Sequence, residues 1–210
     1  LYGQNGSGKT ALIDALSLLK KLFCGRVIDR KYADYIRVGT EKATLTYTFT
    51  IKNEKDEIIN AEYLVCIGKI EGVQENNYSE SEKSEEYLPS VVWERLSLQI
   101  KSNGKVIEEY EPYINTNSSN YLFEPIDKCE MLLKGDEQAI NDLIPQKKLT
   151  ELSSRSFIFS RELINAVRKK HFVTDVSSID KAILRFMKTY ESLVYYGNFR
   201  LFIFDTRDAS

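Results

Sequence analysis

A glycine-rich octapeptide at residues 3–10, GQNGSGKT, constrains this chain more than any other stretch. It fills the phosphate-binding template GxxxxGK[ST] at every fixed position, namely Gly3, Gly8, Lys9 and Thr10. Small residues are needed because the backbone must curl around a polyphosphate with its N–H groups pointing inward and no Cβ in the way. The motif therefore predicts an α/β fold in which a buried strand leads into the loop and a helix leaves it.

The residues after the loop supply the helix that the template requires. Across residues 9–23, KTALIDALSLLKKLF, apolar side chains recur at helical spacing. Lys20 and Lys21 fall in the last turns, where cations are favoured, and Gly25 is placed to end the helix. The N–H groups at the start of such a helix complete an anion site.

The template gives each candidate site residue a role. Lys9, the predicted catalytic charge, reaches the β- and γ-phosphates, and the Thr10 hydroxyl is the predicted Mg²⁺ ligand. Guanine-specific motifs are absent, since the nearest string to NKxD is NEKD at residues 53–56, in the wrong order. ATP and Mg²⁺ are thus the predicted cofactors. The predicted nucleotide-binding residues are Gly3, Gln4, Asn5, Gly6, Ser7, Gly8, Lys9 and Thr10.

The triplet Asn5, Gly6, Ser7 resembles the loop of P-loop ATPases of the ABC, SMC and RecF class. Further along, the chain resembles the prokaryotic AAA family ATPases of the overcoming-lysogenization-defect and abortive-infection type. In those proteins the loop helix is followed by an antiparallel β arm, matched here by residues 44–51 and 61–67. In those proteins the arm is followed by a stretch similar to residues 93–110 of this chain, and then by helices.

This resemblance implies an ABC-type α/β P-loop NTPase: an N-terminal lobe with an antiparallel β arm and a helical subdomain, truncated at both ends. The expected divisions are a nucleotide-binding lobe over 1–128 with a mobile acidic loop at 73–89, a helical subdomain over 129–196, and the start of a further strand over 197–210. The implied function is ATP binding and, in the complete protein, ATP hydrolysis coupled to conformational change, in DNA transactions or phage defence. A cytoplasmic homodimer joined through the nucleotide lobes is implied, and the excerpt alone is expected to be inactive.

Two elements of that class are missing from the sequence. None of the Leu-Ser pairs, at Leu16, Leu96 and Leu152, continues into the signature LSxG. Residues 201–205, LFIFD, have the apolar run and Asp of a Walker B strand, but Thr206 stands where the water-activating Glu belongs. We therefore predict an ordinary buried strand there, with a degenerate Walker B as the alternative, and expect the catalytic half beyond Ser210.

Composition limits the partners. Lys and Arg total 29 against 31 Asp and Glu, for a net charge of −2, so no global charge favours nucleic acid or an anionic membrane. No apolar run is long enough to cross a bilayer. The three cysteines, Cys24, Cys66 and Cys129, are widely spaced beside a single histidine, a pattern typical of buried thiols rather than a zinc site.

Other functions stay open on the sequence alone. A nucleotide-dependent switch without turnover would use the same loop, as would a small-molecule kinase, although the latter needs an Arg-rich lid. Nucleic acid contact by the basic run 168–171 is possible, but cations at a helix end already have a local electrostatic reason. Gln74 and Gln99 are candidate Mg²⁺ sensors that no spacing rule selects, and His171 is interpreted as a solvated side chain.

The remaining pattern predicts secondary structure. Residues 44–51 and 61–67 form a predicted hairpin, Asn103-Gly104 the turn of a second, and residues 74–86 a solvated loop. After Cys129 helical stripes run up to Pro145 and then over 163–167 and 179–190, the last with an acidic cap near Asp180.

Overall fold

The computed structural model describes residues 9–36, 39–53, 56–71, 87–118, 121–171 and 179–203. Its sheet has four antiparallel strands in the order β1-β2-β3-β4. They are β1 (Lys42–Lys52), β2 (Glu57–Glu71), β3 (Tyr87–Ser102) and β4 (Lys105–Asn115). Both predicted hairpins are confirmed. Asn103 and Gly104 have φ of 49° and 76°, the left-handed values that a tight type I′ turn requires.

The described residues also form five α-helices. These are α1 (Lys9–Phe23), α2 (Ile126–Leu133), α3 (Glu137–Leu152), α4 (Arg161–His171) and α5 (Lys181–Tyr195). A 3-10 turn at Arg30–Ala33 follows α1, and a π-helical turn at Tyr196–Arg200 follows α5. The predicted cap of α5 is confirmed at Asp180, whose Oδ1 accepts a hydrogen bond of 2.8 Å from the Ala182 N–H. None of these helices is long and apolar enough to cross a membrane.

One face of the sheet carries the core. Every second residue of β1 is half-buried, and its threonines between them are exposed. Phe49 pairs with Ala61 and Tyr47 with Tyr63 on the same face of β2. The ring of Phe23 on α1 lies 5.5 Å from that of Phe49 and 5.6 Å from that of Tyr63, so α1 packs against this face.

The opposite face is polar. A ladder of side-chain hydrogen bonds crosses all four strands, from Thr50 to Asn60 at 3.1 Å, from Asn60 to Gln99 at 2.9 Å and from Gln99 to Glu109 at 3.3 Å. Such cross-strand pairs stabilise a sheet whose outer face meets water.

A single buried cluster joins the sheet to the helices. It includes Leu19 of α1, Tyr63 of β2, Leu132 of α2, Leu163 of α4 and Phe186 of α5. α2 begins at Ile126, slightly ahead of the position expected for a helical subdomain. The division of the chain at 128/129 stays a prediction.

The helical pattern was expected to stop before Pro145, and that expectation is wrong. α3 continues through Pro145 to Leu152. Proline forfeits one backbone hydrogen bond, but tertiary contacts hold the second half of the helix. Lys147 Nζ donates to the Ser118 carbonyl at 3.0 Å, and Ser90 Oγ donates to the Glu151 carbonyl at 3.1 Å.

The expected strand at 197–205 is also wrong over the residues that the structure describes. Residues 196–200 form the π-helical turn, and 201–203 have no regular structure. The chain passes directly over α1 in this turn, because a Cβ added at Gly197 would lie 2.8 Å from Phe23 Cβ, and this close approach requires glycine. Residues 204–210 lie outside the described part of the chain.

The acidic loop predicted over 73–89 has a wrong C-terminal bound, because residues 87–89 belong to β3, which begins at Tyr87. The rest of that prediction, over 73–86, falls outside the described residues.

Candidate functional site

α1 is described over Lys9–Phe23, so the last two residues of the octapeptide, Lys9 and Thr10, are helical, as the motif requires. Thr10 is exposed. A helix that begins within the motif would offer a phosphate its unpaired N–H groups and the positive end of its dipole. Of Lys9, the structure describes only its place in the helix. The other predicted site residues, Gly3, Gln4, Asn5, Gly6, Ser7 and Gly8, lie outside the described part of the chain, and their roles stay predictions.

The far end of α1 is fixed as predicted. Gly25 has a φ of 61°. Its N–H donates to the Leu22 carbonyl at 3.0 Å, and the Arg26 N–H donates to the Lys21 carbonyl at 2.9 Å. These two bonds form a Schellman motif, which satisfies carbonyls that the end of a helix leaves free.

A polar stripe runs along one side of α1. We use this term for Thr10, Asp14, Ser17 and Lys21, which are three or four residues apart and so lie on one helical face. The apolar side of the helix is buried in the core, through Leu18, Leu19, Leu22 and Phe23.

The chain returns along this polar stripe after Gly25. In this returning segment, residues 29–35, Asp29 pairs with Lys21 at 2.6 Å near the end of α1. Lys31 Nζ lies 3.4 Å from Asp14 Oδ1, and the Tyr35 hydroxyl donates a hydrogen bond to Asp14 Oδ2. The segment thus runs antiparallel to α1, from its last turn back towards its first.

Asp14 is the buried member of the stripe, with only 2% of its surface exposed. A buried carboxylate needs partners, and Lys31 and Tyr35 provide them from the returning segment. Tyr32, also in the returning segment, lies close to both Asp29 and Asp14. Burial, with the negative charges of Asp29 and Asp14, raises the pKa of Tyr32. The nearby Ser17 side chain opposes this rise, although the buried Tyr32 hydroxyl makes no hydrogen bond of ordinary geometry within the described residues.

A second buried acid, Glu94 on β3, was not singled out from the sequence. It is 1% exposed. Its carboxylate accepts hydrogen bonds from the Tyr63 hydroxyl at 2.5 Å, from the Ser156 hydroxyl, from the Phe157 N–H at 2.7 Å and from the Ile158 N–H at 3.4 Å. Burial raises the pKa of Glu94, and these donors oppose the rise. The network ties the α3–α4 connection to the sheet, so the arrangement is structural.

The other sequence candidates that the structure describes do not lie at the start of α1, and Leu201 contacts the helix only near its other end, where its carbonyl accepts a hydrogen bond of 2.7 Å from Lys20 Nζ. Gln99 sits in the polar ladder on the outer face of the sheet, while Gln74 falls outside the described residues. In the Walker B candidate at 201–205, Phe202 is 68% exposed, which a buried strand would not allow.

His171 is not a solvated side chain, contrary to the interpretation from sequence. It is 7% exposed, and its Nε2 lies 3.1 Å from the Met131 carbonyl and 3.0 Å from the Leu132 carbonyl, so this nitrogen donates to the end of α2. Two cations of the basic run are paired as well. Arg168 contacts Glu191 at 3.1 Å, and Lys170 pairs with Asp136. These local partners account for much of the run.

The cysteines behave as buried thiols. Cys66 and Cys129 are buried and Cys24 is partly so, and all three are free. Burial raises the pKa of Cys129 to about 11, which keeps the thiol protonated. Among the described residues no group of three or more His, Cys, Asp and Glu side chains is arranged to hold a metal ion.

A cavity of about 560 Å³ opens at the other end of α1. It is lined by Cys24 and Gly25, by the end of α3 and by the start of α4. Cys24 follows Thr10 by nearly the whole helix, which is about 20 Å at 1.5 Å per residue. This cavity is therefore separate from the predicted phosphate site.

A family model described as "AAA domain, putative AbiEii toxin, Type IV TA system" matches residues 1–63. The match begins before the octapeptide, includes α1 and β1, and ends within β2, so it covers less than half of the chain. It supports a P-loop ATPase-like family and a nucleotide-binding function of the ATPase type in general. No curated protein matches the chain, and no solved structure does.

Proposed function

We propose that this chain is the ATP-binding part of an ATPase that, in the complete protein, transfers the γ-phosphoryl group of ATP to water. The observation that carries the proposal is that a complete octapeptide motif runs directly into α1, with its last two residues, Lys9 and Thr10, already helical. The family match covers the same stretch of chain. Together they support a phosphate-binding loop closed by a helix N-terminus.

The roles follow from the chemistry of the motif. The backbone N–H groups of the loop bind the phosphates, and the Lys9 ammonium neutralises charge that develops on them. Thr10 is exposed in the first turn and offers a hydroxyl oxygen, the hard ligand that Mg²⁺ prefers. Bound there, the ion would neutralise charge on the β- and γ-phosphates. The residues present thus fit both cofactors.

The family resemblance extends the proposal further. Hydrolysis is proposed to need a second protomer, joined through the nucleotide lobes, or a Walker B acid and a signature that these 210 residues do not contain. The antiparallel sheet and its helices would then move with ATP binding, in DNA transactions or phage defence. The protein is proposed to act in the cytoplasm.

The test is phosphate release by the full-length protein in Mg²⁺ and ATP, compared with the Lys9→Ala variant. We expect release from the natural protein and none above background from the variant, because Lys9 is the one cationic residue of the octapeptide. Lys169→Ala, which removes an equal charge from an exposed position on α4, should release phosphate at the natural rate.

The outcomes separate the alternatives. ATP binding without release, with binding lost in Lys9→Ala, would instead identify a switch module without turnover. Transfer to an added small molecule in place of water would identify a kinase. Absence of both binding and release in the natural protein would contradict the proposal.

A further inference from the structure

We propose that Asp14 is a positioning residue of the magnesium site, which it supports from the second coordination sphere while Lys31 and Tyr35 hold its carboxylate in place. The inference rests on the proposed function, because it takes Thr10 as the Mg²⁺ ligand. It adds a residue that the octapeptide motif does not contain.

The placement of Asp14 on α1 is the first argument. Asp14 follows Thr10 by four residues, so the two side chains lie on one face of the helix, with Cβ atoms about 5–6 Å apart. Helical side chains also lean towards the N-terminus of their own helix. The carboxylate of Asp14 therefore leans towards the turn that carries Thr10.

The immobility of the carboxylate is the second argument. Asp14 is 2% exposed, an unusual state for an acid on the polar side of a helix. Its two oxygens are held separately, Oδ1 by the Lys31 ammonium at 3.4 Å and Oδ2 by the Tyr35 hydroxyl. A group fixed in this way is preorganised, as the supporting shell of a metal site must be.

The balance of charge is the third argument. The Asp14 carboxylate carries a negative charge one helical turn from Thr10, and a negative charge at that distance favours a divalent cation bound at Thr10.

The charge of Asp14 should affect the affinity for ATP in opposite directions with and without magnesium. A carboxylate near a triphosphate repels the free nucleotide but favours its magnesium complex. Asp14→Asn keeps the size of the side chain and removes this charge. We expect the variant to bind ATP about 10-fold more weakly in Mg²⁺, the lower end of the effect of second-sphere changes on metal sites. In EDTA its affinity should be unchanged or higher.

The measurement is calorimetric titration of the full-length protein with ATP in Mg²⁺ and in EDTA. Asp29→Asn is the matched control, because it removes the acid at the other end of the same segment and should leave both affinities unchanged. Tyr35→Phe removes one hydroxyl that holds Asp14, from a residue that is 46% exposed, and should give a smaller loss confined to Mg²⁺.

Several results would overturn the inference. Equal weakening in Mg²⁺ and in EDTA would show that Asp14 only maintains the fold of the segment. Natural affinity in Asp14→Asn would show that the carboxylate has no part in the site. If Asp14→Asn does not fold, as judged by loss of a cooperative melting transition, a natural Mg²⁺ response in Tyr35→Phe contradicts the proposal. Loss of binding in Lys9→Ala confirms the nucleotide site independently of all three results.

Discussion

Removal of the Glu94 carboxylate should strongly destabilise the protein. In the natural protein four buried groups donate hydrogen bonds to this carboxylate, and in Glu94→Leu they have no acceptor. They are the hydroxyls of Tyr63 and Ser156 and the N–H groups of Phe157 and Ile158. Each buried donor left unpaired costs about 1–3 kcal/mol, and the hydroxyls recover part of this by rotating.

We therefore expect Glu94→Leu to lower the free energy of unfolding by about 3–5 kcal/mol, the sum of such penalties for the two N–H groups and the incompletely rotated hydroxyls. For a chain of this size the melting temperature should fall by about 10 °C. Glu94→Gln keeps an acceptor for the backbone N–H groups and offers an amide to the two hydroxyls. It should cost about 1–2 kcal/mol.

Urea denaturation followed by tryptophan fluorescence measures both effects, because the single tryptophan, Trp93, is the neighbour of Glu94 on β3. Equal losses in Glu94→Leu and Glu94→Gln would refute the reasoning, since the amide would then satisfy none of the donors. So would a loss below about 1 kcal/mol in Glu94→Leu.

The same residue predicts a pH dependence. Burial raises the pKa of Glu94 in the folded protein, so the native state binds more protons than the unfolded state between the ordinary carboxyl pKa and the raised one. Stability contributed by this group must then fall as the pH rises through that interval. The natural protein should lose stability relative to Glu94→Gln over this range, and a difference that stays constant or grows in the opposite direction contradicts the assignment.

Two paired substitutions test the packing around α1 by chemical denaturation. Tyr32→Phe removes a buried hydroxyl that makes no hydrogen bond of ordinary geometry among the described residues, so its effect on stability should be neutral or stabilising. Tyr63→Phe removes a hydroxyl that is hydrogen-bonded to Glu94 and should cost about 1–2 kcal/mol. Equal costs for the two substitutions would contradict this. Gly197→Ala should cost about 1–3 kcal/mol because its Cβ meets Phe23 Cβ at 2.8 Å, while Gly68→Ala, which meets only a side-chain methyl at 2.7 Å, should cost less. A larger loss in Gly68→Ala would contradict the close approach over α1.

Local signals in the sequence were sufficient where the structure is locally determined. The end of α1 after Phe23 follows from Gly25, and at the other end Lys9 and Thr10 of the octapeptide are already helical, as the motif predicts. The turn at Asn103 and Gly104 is equally local, since it needs only two residues that tolerate positive φ.

The failures arise where tertiary contacts override local preference. Pro145 normally ends a helix, but contacts of Lys147 and Glu151 with other parts of the chain hold α3 beyond it. An apolar run such as 201–205 favours a strand, but residues 201–203 have no regular structure and follow a π-helical turn that packs against Phe23 of α1 through Gly197.

The partners of the buried polar residues could not have been identified from the pattern either. Glu94 alternates with Leu96, Leu98 and Ile100 on the buried face of β3, but its partners come from β2 and from the α3–α4 connection. His171 likewise ends a basic run, and its acceptors lie on α2, which is distant in sequence. Asp14 had one available signal, its spacing of four residues from Thr10, but the partners that bury it come from the returning segment.

The central claim is that the octapeptide at residues 3–10 binds the magnesium complex of ATP. Calorimetric titration of the full-length protein and its Lys9→Ala variant with ATP in Mg²⁺ tests it most directly. Because a hydrogen bond to a charged group contributes about 1.5–3 kcal/mol, the variant should bind about 10- to 100-fold more weakly. Equal affinity in the two proteins, or no binding by either, would contradict the claim.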